Sequence, residues 1–288
     1  MSALPEAVAD CLAGSISPQV AVARLLLVGQ GPDAILRALE GAPAAPAIDA
    51  MRRLVSERPA ALQALTDQVA RTFAGHDASG PTPAEGVARI AAFFDGAVRH
   101  SPEASVALYS LGDPAILAQA TAEIVGWLAD QGLLPDEADV LDLGCGIGRV
   151  CAMLAPRCRS VLGLDVSAGM VAEAARRLAD TANVRVAQTG GEDLDGLAPA
   201  SLDLVLAIDS FPYIVQTGAE TAMRHVRGAA RALRPRGALA ILNLSYRGDE
   251  AVDRADAERW AAEAGFILGP AGVRPFRMWD GNAYVFRR

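Results

Sequence analysis

The sequence predicts a doubly wound α/β fold: a mainly parallel seven-stranded sheet with an antiparallel edge hairpin, preceded by an all-helical amino-terminal domain. Three observations carry this. After Pro135, short apolar runs ("DVLDLG", "SVLGLD", "NVRVAQ", "LDLVLAI", "GALAILNL") alternate with helical stretches ("RVCAMLAPR", "AGMVAEAARRLAD", "ETAMRHVRGAARALR", "ADAERWAAEAG"). Strict alternation of this kind implies right-handed crossovers and a parallel sheet covered by helices on both faces. Two last apolar pieces, "FILG" and "NAYVFRR", have no helix between them and read as an antiparallel pair. Before residue 100 the periodicity is helical throughout.

The amino-terminal helices are punctuated by capping signals. Ser17 and Pro18 are an N-cap and a first-turn proline; Val20, Val22, Leu25, Leu26 and Val28 form an apolar face closed by Gly29. "GPDAILRALEG", "AIDAMRRLVSER" and "AALQALTDQVARTFAG" repeat the pattern, with breaks at "GAPAAPA" (41–47) and "GHDASGPTP" (75–83). The second break is the better boundary, because glycine and proline cannot continue a helix there. It gives a helical domain over 1–82, acting as a cap or in homodimerisation, and a ligand-binding domain over 83–288 that begins with a helical lid and lead-in at 83–134. "PAEGVARIAAFFDGAVRH" and "SPEASVALYSLG" read as helices in that lead-in, followed by "DPAILAQATAEIVGWLADQG" with Asp113 as cap.

Composition excludes several functions. All 26 basic side chains are arginine, so lysine Schiff-base chemistry and a phosphate-loop lysine are ruled out. A net charge of -8 without a basic run disfavours nucleic acid, and pieces such as "RALRPR" read as solvated helix ends. Cys11, Cys145, Cys151 and Cys158 form no C-x-x-C pair, and His76, His100 and His225 are scattered, which argues against zinc. His225, on an arginine-rich helix, is expected to be solvated. The longest apolar stretches are too short for a bilayer, and "MSALPEAVAD" carries acids where an export signal carries bases. A cytoplasmic protein with reduced thiols and no membrane partner is expected.

The chemistry centres on "VLDLGCGIGRV" at 140–150. Gly144, Gly146 and Gly148 follow the first strand, where a parallel sheet binds its ligands and where missing side chains admit positive φ angles and close approach. Asp165 ends the second strand 17 residues after Gly148, placed to accept hydrogen bonds from a ribose diol. A dinucleotide fingerprint needs its third glycine one position later, and Asp142 adds negative charge where a pyrophosphate would lie. The loop suits a cationic ligand bearing an amino group or a sulfonium.

These segments resemble the class I S-adenosylmethionine-dependent methyltransferases of the small-molecule type, whose fold is Rossmann-like. "VLDLGCGIGRV" is similar to their first signature, "VLGLDVSAGMVAEAARRL" to the second strand and its helix, "LDLVLAIDSFPYI" to the fourth strand and active-site loop, and "ARALRPRGALAI" to the lead into the fifth. The resemblance covers about residues 105–288. It implies that S-adenosyl-L-methionine is the cofactor. Asp142, Cys145 and the Gly144 to Gly148 backbone would hold its methionine part, Asp165 the ribose, and Val166, Met170 and Ile208 the walls around the adenosine. Gly190 stands where the family often has an adenine-reading acid, so that contact passes to Gly191, Glu192 or Asp193. Cys145 reads as a packing residue.

The "IDSFPYIV" loop after the fourth strand would face the cofactor's methyl group. It resembles the D-S-x-N-Y loops of small-molecule methyltransferases, with Pro212 in place of asparagine. Asp209 and Tyr213 are the catalytic candidates, to orient or deprotonate the acceptor, with Tyr109 of "ALYSLGD" closing over the site. Ser210, Asn243, Tyr246 and Arg274 are expected on the substrate, with Trp279 near Arg274. Asp209 and Asn243 also fall where magnesium-dependent catechol methylators carry ligands, but one carboxylate is thin for a hard cation, and no metal is expected. The reading is methyl transfer to nitrogen, oxygen or sulfur of a small molecule. Its rivals are a cofactor-binding scaffold, another reaction on the same fold such as a cyclisation or hydrolysis, and a nicotinamide dehydrogenase.

Overall fold

In the computed structural model residues 4–72 and 78–288 are described, and part of the predicted break at 75–83, with His76, lies outside them. The chain divides into two compact units that do not follow chain order. The first contains α1 (Glu6–Leu12), α2 (Pro18–Leu27), α3 (Pro32–Glu40), α4 (Pro46–Glu57) and α5 (Pro59–Thr72), together with Ser101–Glu123 and Phe276–Asp280. The α2 helix is capped as its sequence predicts: the Ser17 hydroxyl accepts the Val20 N–H and Pro18 fills the first turn. Its Val22 and Leu26 are fully buried, as are Ile35, Leu39, Ile48, Met51 and Leu62 of the neighbouring helices. Arg24 ties α2 to Asp10 at 3.0 Å and to Asp280 at 2.7 Å. "SPEASVALYSLG" is not one helix: it breaks into α7 (Pro102–Val106) and a 3-10 turn at Leu108–Ser110, after which Leu111 turns left-handed at φ 54°.

The second unit contains α6 (Pro83–His100), Ile124–Pro275 and Gly281–Arg288. The chain enters it along α8 (Pro114–Asp130), whose first-turn Ala115 N–H is capped by Asp113. Its sheet has the order β3-β2-β1-β4-β5-β7-β6. The strands are β1 (Ala138–Leu143), β2 (Cys158–Asp165), β3 (Val184–Gln188), β4 (Leu202–Ile208), β5 (Leu233–Leu242), β6 (Ile267–Val273) and β7 (Ala283–Arg287). The first five are parallel, and β7 runs antiparallel between β5 and β6. Sequence order reverses between β1 and β4, and a ligand crevice opens beyond the carboxyl ends of such a pair. β1 is buried along its whole length, as expected for a central strand covered on both faces.

The helices after these strands are α9 (Arg149–Leu154), α10 (Ala168–Arg177), α11 (Phe211–Gln216), α12 (Ala219–Ala232) and α13 (Glu250–Ala264). Two expectations are corrected here. The α12 helix stops at Ala232, so only the first two residues of "RALRPR" end a helix and "LRPR" opens β5. Arg234 there pairs with Asp203 at 2.7 Å and with Asp139 at 2.9 Å, two carboxylates near the starts of β4 and β1. His225 is not solvated: it is 2% exposed on the same stripe of α12 as Ala222, Val226 and Ala229. Its Nδ1 lies 2.9 Å from the Thr221 carbonyl one turn earlier, and burial lowers its pKa, keeping the ring neutral. Among the described residues no helix is long and apolar enough to cross a membrane.

Candidate functional site

The loop after β1 makes three left-handed turns in five residues, at Gly144 (φ 76°), Gly146 (φ 53°) and Gly148 (φ 77°). At Gly144 and Gly148 glycine is also required by close approach. A side chain at Gly144 would strike Ser210 of the loop after β4, and one at Gly148, the N-cap of α9, would meet Leu178 at 2.7 Å. The loop is strapped to the end of β2. The Gly144 and Cys145 N–H groups share the Leu164 carbonyl at 2.7 and 3.0 Å, and Gly146 N–H donates to Asp165 Oδ2 at 2.8 Å. Asp165 Oδ1 accepts Ser167 N–H at 2.9 Å. Burial raises the Asp165 pKa against these two backbone donors.

Asp142 is 2% exposed. Burial lifts its carboxyl to about 6, against the lowering effect of the Cys151 thiol, 3.3 Å from Oδ2, and of Arg149. A carboxylate held in so little water is stabilised by a cation placed beside it. The Cys145 thiol is also buried; its hydrogen bond with Cys151 lowers its pKa, but burial and the carboxylates of Asp142 and Asp165 together outweigh that and raise it, so it packs as an inert thiol.

Around this loop, Val166 approaches Gly191 so closely that a Cβ at Gly191 (φ 72°) would lie 2.6 Å from it. Met170 is 1% exposed and its N–H bonds the Ser167 hydroxyl. Ile208 closes β4 and is buried, whereas Glu192 is exposed. One residue that sequence reasoning missed is Asp95 of α6. Its Oδ1 accepts the Ser167 hydroxyl at 2.6 Å and the Gly169 N–H at 2.7 Å, which docks α6 on the first turn of α10. The same helix sets Val87 against Gly191 and Phe94 edge-on to Tyr213, ring centroids 5.4 Å apart. A lone acid on an amphipathic helix gives no sign of a partner 72 residues away.

Beyond β4 and β5 the structure brings four of the predicted side chains together. Asp209 Oδ1 accepts Asn243 Nδ2 at 2.8 Å and the Tyr246 hydroxyl at 3.0 Å, and the Tyr246 and Tyr213 hydroxyls lie 3.3 Å apart. Tyr246 has one hydroxyl proton. The carboxylate is the stronger acceptor for it, which leaves Tyr213 to donate to the Tyr246 oxygen. Burial and the charge of Asp209 raise both tyrosine pKa values, so both stay protonated donors at neutral pH. Asp209 and Asn243 both hold left-handed backbone, at φ 57° and 70°. Asp and Asn tolerate it best among residues with a side chain, and such strain concentrates at ligand sites.

The other predicted substrate residues lie elsewhere. Ser210 donates its hydroxyl to the Leu143 carbonyl at 2.5 Å, bracing the loop after β4 against the end of β1. Arg274 pairs with Glu250 at 2.6 Å on an exposed face. Tyr109 and Trp279 belong to the first unit, where their rings lie 6.3 Å apart.

Residues 140–237 match a family model described as a methyltransferase domain. Among curated proteins, an S-adenosyl-L-methionine-dependent Diels-Alderase of Talaromyces variabilis is 30% identical over 137 residues, which is 46% of this chain and 44% of that protein. The ribosomal RNA large subunit methyltransferase G of Streptomyces avermitilis is 36% identical over 112 residues, 38% of this chain and 29% of that protein. The chain thus spans less than half the length of either relative. Among solved structures, phosphoethanolamine N-methyltransferase 1 of Haemonchus contortus, in complex with phosphoethanolamine and S-adenosylhomocysteine, superposes with a TM-score of 0.53 at 18% identity, covering 71% of this chain and 49% of that one. Residues 140–237 thus match a methyltransferase domain, within a seven-stranded sheet of order β3-β2-β1-β4-β5-β7-β6.

Proposed function

We propose that this methyltransferase domain binds S-adenosyl-L-methionine at the loop after β1 and methylates a nitrogen, oxygen or sulfur atom of a small molecule. The residues fit the cofactor: a bare loop of left-handed glycines, a buried carboxylate at Asp142 suited to a positive charge, and a second carboxylate at Asp165 beside it. When bound, the cofactor supplies an electrophilic methyl group on a sulfonium centre. Asp142 and the 144–148 backbone hold its charged amino-acid end, Asp165 the ribose, and Val166, Met170, Ile208 and Gly191 the adenosine. The observation that carries the acceptor side is the joined Asp209, Asn243, Tyr246 and Tyr213 network beyond the ends of β4 and β5. Its phenol rings and oxygens bound the space for the acceptor, and Asp209 is the group able to take a proton. Positioning supplies most of the rate in such a displacement.

Calorimetry tests the cofactor: S-adenosylmethionine and S-adenosylhomocysteine are expected to bind and NAD is not, and NAD binding without either adenosyl ligand refutes the reading. Asp165→Ala should weaken cofactor binding about ten- to a hundredfold, for roughly 1.5 to 3 kcal/mol of lost charged hydrogen bonding. It also strands the Gly146 and Ser167 N–H groups, so the unliganded variant should melt earlier, which is measured separately from affinity. Unchanged affinity in the variant would remove Asp165 from the ribose.

A second reading, favoured by the Diels-Alderase relative, is a cyclisation run in the same crevice with the cofactor retained unreacted. Release of S-adenosylhomocysteine in step with product decides for methyl transfer; product without it decides for cyclisation. The charge of -8 supports a small-molecule partner in preference to a nucleic acid.

A further inference from the structure

Two phenol rings and a carboxylate meet at one point of the acceptor site. The Tyr213 and Tyr246 ring centroids lie 5.4 Å apart with planes at 75°, and the Tyr246 hydroxyl donates to Asp209 at 3.0 Å. Phe94 stands edge-on to Tyr213 at 89° and fixes that ring's orientation. Tyr246 is 40% exposed overall although its hydroxyl end is buried against Asp209 and Tyr213; Asp209 is half-buried and Tyr213 buried, so the cluster is reached from solvent through Tyr246.

We propose that Tyr213, Tyr246 and Asp209 form a recognition site for a cationic nitrogen, so that the acceptor is an amine. This rests on the reading of the crevice as the acceptor site. Aromatic faces attract ammonium groups through their quadrupole, and the attraction grows as the cation leaves water. A phenol that donates a hydrogen bond to a carboxylate gains ring electron density, which strengthens that attraction. Both tyrosines keep their protons here, so the rings stay neutral phenols with a directed donor end. Asp209 adds charge complementarity. An anionic ligand would meet that carboxylate head on, and a neutral one would gain at most a hydrogen bond from it and no charge attraction. For a protonated amine, the N–H bond breaks toward Asp209, the proton passes to the carboxylate, and the lone pair stays on nitrogen.

The test uses two probes of equal shape: choline, and 3,3-dimethylbutan-1-ol, which has carbon in place of the charged nitrogen. Each is titrated calorimetrically into the full chain, with and without S-adenosylhomocysteine. Choline is expected to bind at least about tenfold more tightly. Tyr246→Leu and Asp209→Asn should each remove most of that preference, while Tyr246→Phe, which keeps the ring, should retain more of it than Tyr246→Leu. Equal binding, tighter binding of the neutral alcohol, no binding of either probe at millimolar concentration, or a preference untouched by both Asp209→Asn and Tyr246→Leu overturns the proposal. The two readings separate in the same titrations. Choline selectivity without S-adenosylhomocysteine binding leaves the cation site standing and removes the cofactor, and the reverse result does the opposite.

Discussion

Asp209→Asn is expected to lower kcat by about 10²- to 10⁴-fold, the usual range for losing a positioned acid or base, and to leave S-adenosylhomocysteine affinity nearly unchanged. The substitution keeps the side chain's shape. Its amide oxygen can still accept from Asn243 and Tyr246, so the network and the left-handed backbone at 209 survive and only the charge is lost. The measurement is label transfer from methyl-labelled cofactor to the best acceptor in a metabolite screen. A fall in kcat with little change in KM assigns Asp209 to an interaction made in the transition state, and a rise in KM alone assigns it to holding substrate. Parent rates in both Asp209→Asn and Tyr213→Phe would make the loop after β4 a structural element.

Asp142→Asn should alter the pH dependence of cofactor binding and of stability in opposite senses. The free protein holds the Asp142 carboxyl near 6 because it is buried. A cationic ligand favours the ionised form, so wild-type affinity should be level above about pH 7 and fall by up to about tenfold per pH unit below 6, where binding must expel a proton. The asparagine variant should bind more weakly at pH 7.5 and show no such slope. For stability, an unfolded aspartate ionises near 3.9. Between about pH 4 and 6 the folded state therefore keeps a proton that the unfolded state has lost, and the stability of the unliganded protein declines as pH rises through that window. A shift of about two units corresponds to at most about 3 kcal/mol. Unliganded Asp142→Asn should then melt above wild type at pH 8 and lose that advantage at pH 4. A variant less stable than wild type at pH 8 would show that the carboxylate carries no burial cost.

Much of this site was legible in the sequence because its parts lie where strands end. Alternating strand and helix sets the sheet, the sheet sets the switch between β1 and β4, and residues immediately past a strand, such as Gly144, Asp209 and Asn243, fall into place. What stayed hidden depends on contacts between distant segments. Asp95 acts by reaching the first turn of α10, and Ser210 by reaching the carbonyl of Leu143, and neither has a local pattern. His225 was misread because the arginines around it colour the helix as a whole, whereas burial is decided by the stripe it shares with Ala222 and Val226. The start of β5 was misread because a proline and a left-handed Arg236 interrupt its apolar pattern.

The place of β7 has a bearing on the order in which the sheet assembles. It lies between β5 and β6 although it follows both in the chain, so β6 has no neighbour to pair with until β7 has bridged the gap. On a ribosome the five parallel strands can zip together while β6 waits as an unpaired ribbon, and that interval is when the nascent domain is most prone to associate with other chains. Pulse-labelled hydrogen exchange during refolding should accordingly find the amides of β6 and β7 protected together and after those of β1 and β4.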